Sequence, residues 1–178
     1  MVEELKTSQQ QELDKYGRPF PPKLGGYCVP RTAADAIVLR EDKQNDDYQV
    51  LLITRKKETF HGKLAFPGGH IDYNEDPVDS CIRELEEECG IKATSKPELV
   101  AVRGAPERDP RYHMISVFYL VQVPEDAQIT AGDDAATAQF YGLKDVMKTP
   151  DRFAFDHYEV LTELINTRPE LEKIRGTF

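Results

Sequence analysis

Tryptophan is absent from this 178-residue sequence, and cysteine and methionine are scarce at three each. Without tryptophan, no indole can line a binding site. Cys28, Cys81 and Cys89 are odd in number, with no C-x-x-C pair and no histidine at metal spacing. That argues against a disulfide framework or a zinc site, and free cysteine often packs as a small hydrophobe. No apolar run approaches the ~20 residues needed to span a membrane. The stretch MVEELKTSQQQELDKYGRPF contains no apolar segment of the signal-peptide kind. The expected location is therefore the cytoplasm, with no membrane partner. Basic residues are in deficit, 23 Lys and Arg against 32 Asp and Glu, for a net charge of −9. Nucleic acid is thus not an expected partner, because non-specific binding to it needs a basic surface. The same deficit is a problem for any anionic substrate, which metal ions and a few local arginines would solve.

Hydrophobic residues make up 39% of the chain and charged residues 31%, a composition suited to a globular protein long enough to bury a core. Residues 1–26 are polar and weakly periodic and read as an arm, which leaves 27–178 as one domain. Strand-like patterns run over 33–39, 49–54, 98–103, 113–123 and about 138–143, with a polar turn at 41–47. Residues 157–165 and 168–175 read as helix, broken at Thr167-Arg168-Pro169. The natural architecture is α/β, a mixed sheet with helices on both faces.

Residues 69–91 carry one spaced set: Gly69, five others, Glu75, seven others, then Arg83-Glu84-Leu85-Glu86-Glu87-Glu88-Cys89-Gly90-Ile91. Helix ends are written into it, with Asp76 suited to the N-cap, Pro77 to the first turn and Gly90 to a left-handed C-terminal residue. At about 100° per residue, Val78, Ile82, Leu85 and Cys89 share a core-facing side. Glu84, Glu87 and Glu88 fall together on the opposite side. Three clustered carboxylates are costly unless a cation meets them, and Mg²⁺ takes oxygen ligands of this kind. Arg83 lies between the two faces, where it could orient or screen a glutamate. An acidic surface helix is the blander explanation. Against it, seven fixed residues at about 5–7% each match by chance roughly once in 10⁹ starting positions.

This pattern resembles the Nudix box at every fixed position, and the resemblance covers roughly residues 30–165. It implies a hydrolase of nucleoside diphosphates linked to another moiety, built as an α/β/α sandwich. It also implies Mg²⁺ on Glu84, Glu87 and Glu88, with the Gly69 carbonyl beside them. Mn²⁺ suits the same oxygen donors. The segment Ala105-Pro106-Glu107-Arg108-Asp109-Pro110-Arg111 resembles the R-D-P-R run of the ADP-ribose pyrophosphatases in that family, and Pro106 lies sixteen residues beyond Gly90. Phe60-His61-Gly62-Lys63-Leu64-Ala65-Phe66-Pro67-Gly68-Gly69 is similar to the approach to the box in that group, with Leu64 where tryptophan is usual. Gly132-Asp133-Asp134-Ala135 and Ala154-Phe155-Asp156-His157 resemble two further segments of it.

The resemblance therefore implies cleavage of ADP-ribose to AMP and ribose 5-phosphate. Its substrate-binding candidates are Arg108, Asp109 and Arg111, with Arg55 and Arg103 behind them, since arginine forks suit phosphate. The catalytic candidates are Arg83, Glu84, Glu87, Glu88 and Asp134. The general base is left between Glu84 and the acids Asp133 and Asp134, and Glu75 is expected to be structural. Another Nudix substrate (NADH, a dinucleoside polyphosphate or an oxidised deoxynucleotide) is the alternative within the enzymes. A non-catalytic ADP-ribose sensor is the alternative outside them. About 20 residues follow Asp156-His157, too few for a DNA-binding domain of the kind such sensors carry. The expected partner is a small nucleotide, and the resemblance leans towards a homodimer.

Overall fold

Alternating burial along one strand organises the molecule. The computed structural model describes residues 28–130 and 137–178. Strand β3 (Asp47–Thr54) sends Val50 and Leu52 into one core and Leu51 and Ile53 into another. Side chains of a strand alternate with period two, so β3 is apolar on both faces and must be covered on both. It is the centre of an antiparallel sheet, flanked by β8 (Thr137–Gly142) on one side and by β2 (Leu39–Asp42) and β4 (Leu64–Ala65) on the other. A second, mixed sheet has the order β5-β1-β7-β6. In it β1 (Arg31–Ile37) runs parallel to β7 (Met114–Leu120) and antiparallel to β5 (Gly68–His70), and β6 (Glu98–Arg103) closes the edge antiparallel to β7.

Helix α1 (Pro77–Cys89) covers one side, packing Cys81, Leu85 and Cys89 on Ala34, Ala36 and Leu51. On the other side, α2 (Leu143–Val146) and α3 (His157–Thr167) pack Val146, Val160, Leu161 and Leu164 against Ile37, Val50 and Phe118. Each fully buried leucine contributes roughly 1.5–3 kcal/mol of apolar burial. The result is the expected α/β architecture with helices on both faces. One buried polar contact joins α3 to the segment before the box: Phe66 N–H donates to His157 Nδ1 at 3.0 Å while the two rings stack with centroids 5.0 Å apart. Burial pushes the His157 imidazole down to about 3, so it stays neutral and accepts. Among the described residues, no helix is long and apolar enough to cross a membrane.

Several boundaries differ from the sequence reading for identifiable reasons. The run 33–39 is two strands, because the chain crosses between sheets at Val38, whose carbonyl accepts from Leu51 N–H at 3.0 Å. Residues 41 and 42, expected in a turn, therefore extend β2. The run 113–123 is strand only over Met114–Leu120. The segment expected as helix over 168–175 is a 3₁₀ turn, Pro169–Ile174. Helix α1 is rotated from the expected face: Cys81 is fully buried, whereas Ile82 is half-buried. The arm expected over 1–26 lies outside the described residues.

Both ends of α1 follow the local signals. Asp76 caps Val78 N–H at 2.8 Å, Pro77 opens the helix, and Gly90 closes it with φ +67°. A Cβ on Gly90 would also stand 2.9 Å from the Thr130 Cβ and carbonyl. Gly90→Ala is expected to destabilise the fold by about 1–2 kcal/mol, the cost of a left-handed L-residue. Urea denaturation would measure it, and an unchanged midpoint would contradict this account of the helix end.

Candidate active site

Two glycines allow the approach from which the site is built. At the register Asp35↔Gly68, a Cβ on Gly68 would lie 2.5 Å from the Ala34 carbonyl and 2.6 Å from Asp35 Oδ1. A Cβ on Gly69 would lie 2.3 Å from Glu84 Oε1. Only glycine permits backbone this close to a strand on one side and a carboxylate on the other. The freed Gly68 N–H donates to Glu88 Oε2 at 2.9 Å. The box helix and the strand before it are therefore tied through the glutamate itself.

Arg83 organises the remaining acids. Its Nε and Nη2 grip Glu75 at 2.7 and 2.9 Å, and its Nη1 reaches Glu84 at 2.8 Å and Glu87 at 3.2 Å. Nη2 also donates to the His70 carbonyl at 3.2 Å. The fork holds the Glu75 carboxyl down at about 2. The other acids go the opposite way. Burial raises Glu84, and it pushes Glu88 up to about 7 despite the Gly68 N–H, with Glu84 and Asp35 adding like charge. Glu84, Glu87 and Glu88 line one cleft of about 470 Å³ with Gly69.

Among the described residues, no set of three His, Cys, Asp or Glu side chains converges into a ready metal cage. Glu84 and Glu87 face Arg83, and Glu88 faces the Gly68 N–H. The donor set still fits a hard divalent ion. It is all oxygen, and Mg²⁺ is usually held by one or two carboxylates plus substrate phosphates and water.

The other half of the site is basic. Arg55 and Arg111 both lie over the Phe155 ring, at 4.7 and 5.5 Å from its centroid. Phe155 takes φ +53° and packs edge-on against Phe60, which takes φ +58°, at 4.7 Å. Left-handed backbone at a bulky residue is unusual, and such strain concentrates at functional sites. Asp109, 1% exposed, grips Arg111 at 3.0 and 2.7 Å. Burial and the neighbouring Arg111 hold the Arg55 guanidinium below its usual pKa. This second pocket, about 70 Å³, shares Lys57, Gly68, Gly69 and His70 with the acidic cleft.

The sequence candidates therefore separate. Glu84, Glu87, Glu88, Arg83 and Gly69 line the acidic lobe, and Arg55, Asp109 and Arg111 line the basic one. Arg108 lines the latter as well, with its side chain 5% exposed and bonded to Asp156 at 2.8 Å and Ser116 at 3.0 Å. Asp156 stands at the start of α3, yet its side chain makes no capping bond and takes Arg108 instead. Arg103 is not brought to the cleft, because it pairs with Glu163 of α3. Asp133 and Asp134 lie outside the described residues. Sequence reasoning missed Asp35, Lys57, His70 and Phe155 as lining residues. Asp35 carried a signal, an acid inside the apolar run Ala33-Ala34-Asp35-Ala36-Ile37, and Phe155 lies in the segment Ala154-Phe155-Asp156-His157 that the resemblance marks. A larger groove of about 680 Å³ beside β2 shares no residue with either lobe.

The raised Glu88 carboxyl has a consequence for the metal-free protein. Its folded pKa of about 7 exceeds its ordinary 4.5, so the folded state binds the proton more tightly. Its contribution to stability is full below about pH 4.5 and is lost as pH rises through about 7. Metal-free protein should lose stability between about pH 5 and 8, and Glu88→Gln should lose less over that interval. Urea melts across pH test this, and identical slopes would contradict it.

Comparison with known proteins places these features in a family. Residues 29–164 match the NUDIX domain family model. An ADP-ribose pyrophosphatase of Methanocaldococcus jannaschii is 35% identical over 137 residues, covering 77% of this chain and 74% of that one. A MutT/nudix family protein from Enterococcus faecalis superimposes with a TM-score of 0.73 at 30% identity, over 87% of this chain and 71% of its own. A bifunctional NMN adenylyltransferase/ADP ribose pyrophosphatase from Francisella tularensis, complexed with AMP and a manganese ion, gives a TM-score of 0.67 at 28% identity. That alignment covers 78% of this chain but only 42% of the bifunctional one. The glycine approach, the Arg83-centred acids and the matched span together establish that this chain belongs to the Nudix family.

Proposed function

We propose that this protein is a divalent-metal-dependent pyrophosphohydrolase that cleaves ADP-ribose to AMP and ribose 5-phosphate. The observation that carries the reading is the shared wall: the acidic lobe and the paired guanidiniums meet at Gly68, Gly69, His70 and Lys57. A diphosphate lying across that wall would present one phosphoryl group to a metal and the rest of its charge to Arg55 and Arg111. The 35% identical archaeal ADP-ribose pyrophosphatase supports the substrate class.

In this reading Glu84, Glu87 and Glu88, with the Gly69 carbonyl, would hold the ion. Mg²⁺ is proposed, and Mn²⁺ suits the same donors. When bound, the ion would supply charge neutralisation at the phosphoryl oxygens and a lowered pKa for water. The chain itself supplies position. Arg83, clamped by Glu75, keeps Glu84 facing the strand. Arg111, clamped by Asp109, and Arg55, braced on Phe155, hold fixed donors toward the substrate. Such preorganised donors need no rearrangement as charge develops. Removal of the proton from the attacking water is assigned to Glu84 or to the acids Asp133 and Asp134.

The test is hydrolysis of ADP-ribose, NADH, a dinucleoside polyphosphate and an oxidised deoxynucleotide with Mg²⁺, with products resolved by chromatography. ADP-ribose should be preferred, and Glu88→Gln should lower kcat by at least about 10²-fold without loss of circular dichroism signal. Arg111→Ala should raise KM about tenfold, the loss of one charge-assisted contact. Preference for another nucleotide would replace the substrate. Binding of ADP-ribose without turnover would favour a sensor.

A further inference from the structure

Strand β6 reads Glu98-Leu99-Val100-Ala101-Val102-Arg103, an acid at one end, a base at the other and apolar residues between. It is the edge of the mixed sheet, and among the described residues β7 is the one strand paired with it. An unpaired edge offers backbone N–H and C=O groups to a further strand. Leu99 and Val102 are 57% and 53% exposed there, because α1 lies over β1 and β5 rather than over this end of the sheet.

The ladder with β7 shows which face each residue takes. Leu99 and Val102 stand opposite Tyr119 and Val117, which belong to the α1 side. Val100 and Ala101 pack on the α3 side. Glu98 and Arg103 take that side too, where they pair with Arg168 and Glu163. A regular strand of six residues alternates faces, so its pattern cannot read the same in both directions. Here the register shift between Leu99 and Ala101 makes the pattern symmetric about the Val100-Ala101 bond. Bulges commonly turn an edge away from partners. This one matches the strand to its own reverse.

We propose that the β6 edge is the interface between two copies of this chain, paired antiparallel about a two-fold axis at the Val100-Ala101 bond. Leu99 then stands opposite the partner's Val102, and Glu98 opposite the partner's Arg103. Such an interface is isologous, so each contact occurs twice. Four apolar side chains meet on the α1 face, with half-buried Val117 beside Val102. On the α3 face the in-chain ion pairs join into a row of alternating charge: Arg168, Glu98, the partner's Arg103, the partner's Glu163. Apolar and opposite-charge residues set directly opposite are the favourable cross-strand pairs. Moving the register by one residue would set Glu98 against the partner's Val102, on mismatched faces. Neither lobe of the candidate active site contains a β6 residue, so the inference stands apart from the proposed hydrolysis.

Sedimentation equilibrium of the full chain at micromolar concentration should give twice the 20.3 kDa of one copy. A monomer would overturn the inference and leave the edge to some other partner. Val102→Lys and Leu99→Lys change exposed positions, so each should keep its circular dichroism signal. Each should raise the dimer dissociation constant at least about a hundredfold, since every change enters the interface twice. A dimer of unchanged affinity in both would place the contact elsewhere. The register has its own test, in a Cys28→Ser background because Cys28 is an exposed free thiol. Leu99→Cys and Val102→Cys chains should form a disulfide-linked dimer under mild oxidation when mixed, and little when oxidised separately. Cross-linking within either variant alone, and none extra in the mixture, would contradict the pairing.

Discussion

At Gly68 three parts of the molecule meet within contact distance: the β1 backbone at Ala34 and Asp35, the carboxylate of Glu88 on α1, and the chain leading to Gly69. No side chain fits at either glycine. This close approach is what lets β5 pair with β1 while α1 lies directly above. It sets where Glu84 and Glu88 stand, and it brings Asp35 Oδ1 against the same glycine from the other side. The acidic lobe and the small pocket are thus two consequences of one backbone contact. A substitution there would disturb both.

Charge explains the rest of the arrangement. In the proposed reading a chain of net charge −9 binds an anion, and local segregation of charge would allow it. Arg83 screens Glu75, Glu84 and Glu87 on one side of the cleft. Arg55 and Arg111 are brought together on the other by the Phe155 ring. Packing two guanidiniums side by side is unfavourable alone, and it is tolerated because Asp109 pairs with one and an aromatic face supports both. The left-handed backbone at Phe60 and Phe155 fits the same picture, since conformational strain persists where the surroundings over-determine it.

The local parts of this design were legible in the sequence. Asp76, Pro77 and Gly90 act through residues within one helical turn, so their pattern announces both ends of α1. The spacing of Glu84, Glu87 and Glu88 placed them in one cleft for the same reason. What depended on distant chain was hidden. The choice of Cys81 over Ile82 as the buried position is made by β1, some fifty residues back. Arg108 and Arg111 look equivalent in the run Arg108-Asp109-Pro110-Arg111. Only the folded chain shows that Asp156 has taken the first and left the second at the pocket. Asp35 and Phe155 are about 120 residues apart and become neighbours of one pocket only through the sheet. Arg103 is paired with Glu163 of α3, a partner sixty residues away that its local sequence does not announce.

The most direct test of the account is a crystal structure with Mn²⁺ and an ADP-ribose analogue whose bridging oxygen is replaced by methylene. The account predicts anomalous density for Mn²⁺ at about 2.0–2.4 Å from carboxylate oxygens of Glu84 and Glu88. It also predicts the diphosphate crossing Gly68 and Gly69 toward Arg55 and Arg111. Manganese bound away from those glutamates, or the analogue seated in the groove beside β2, would contradict it.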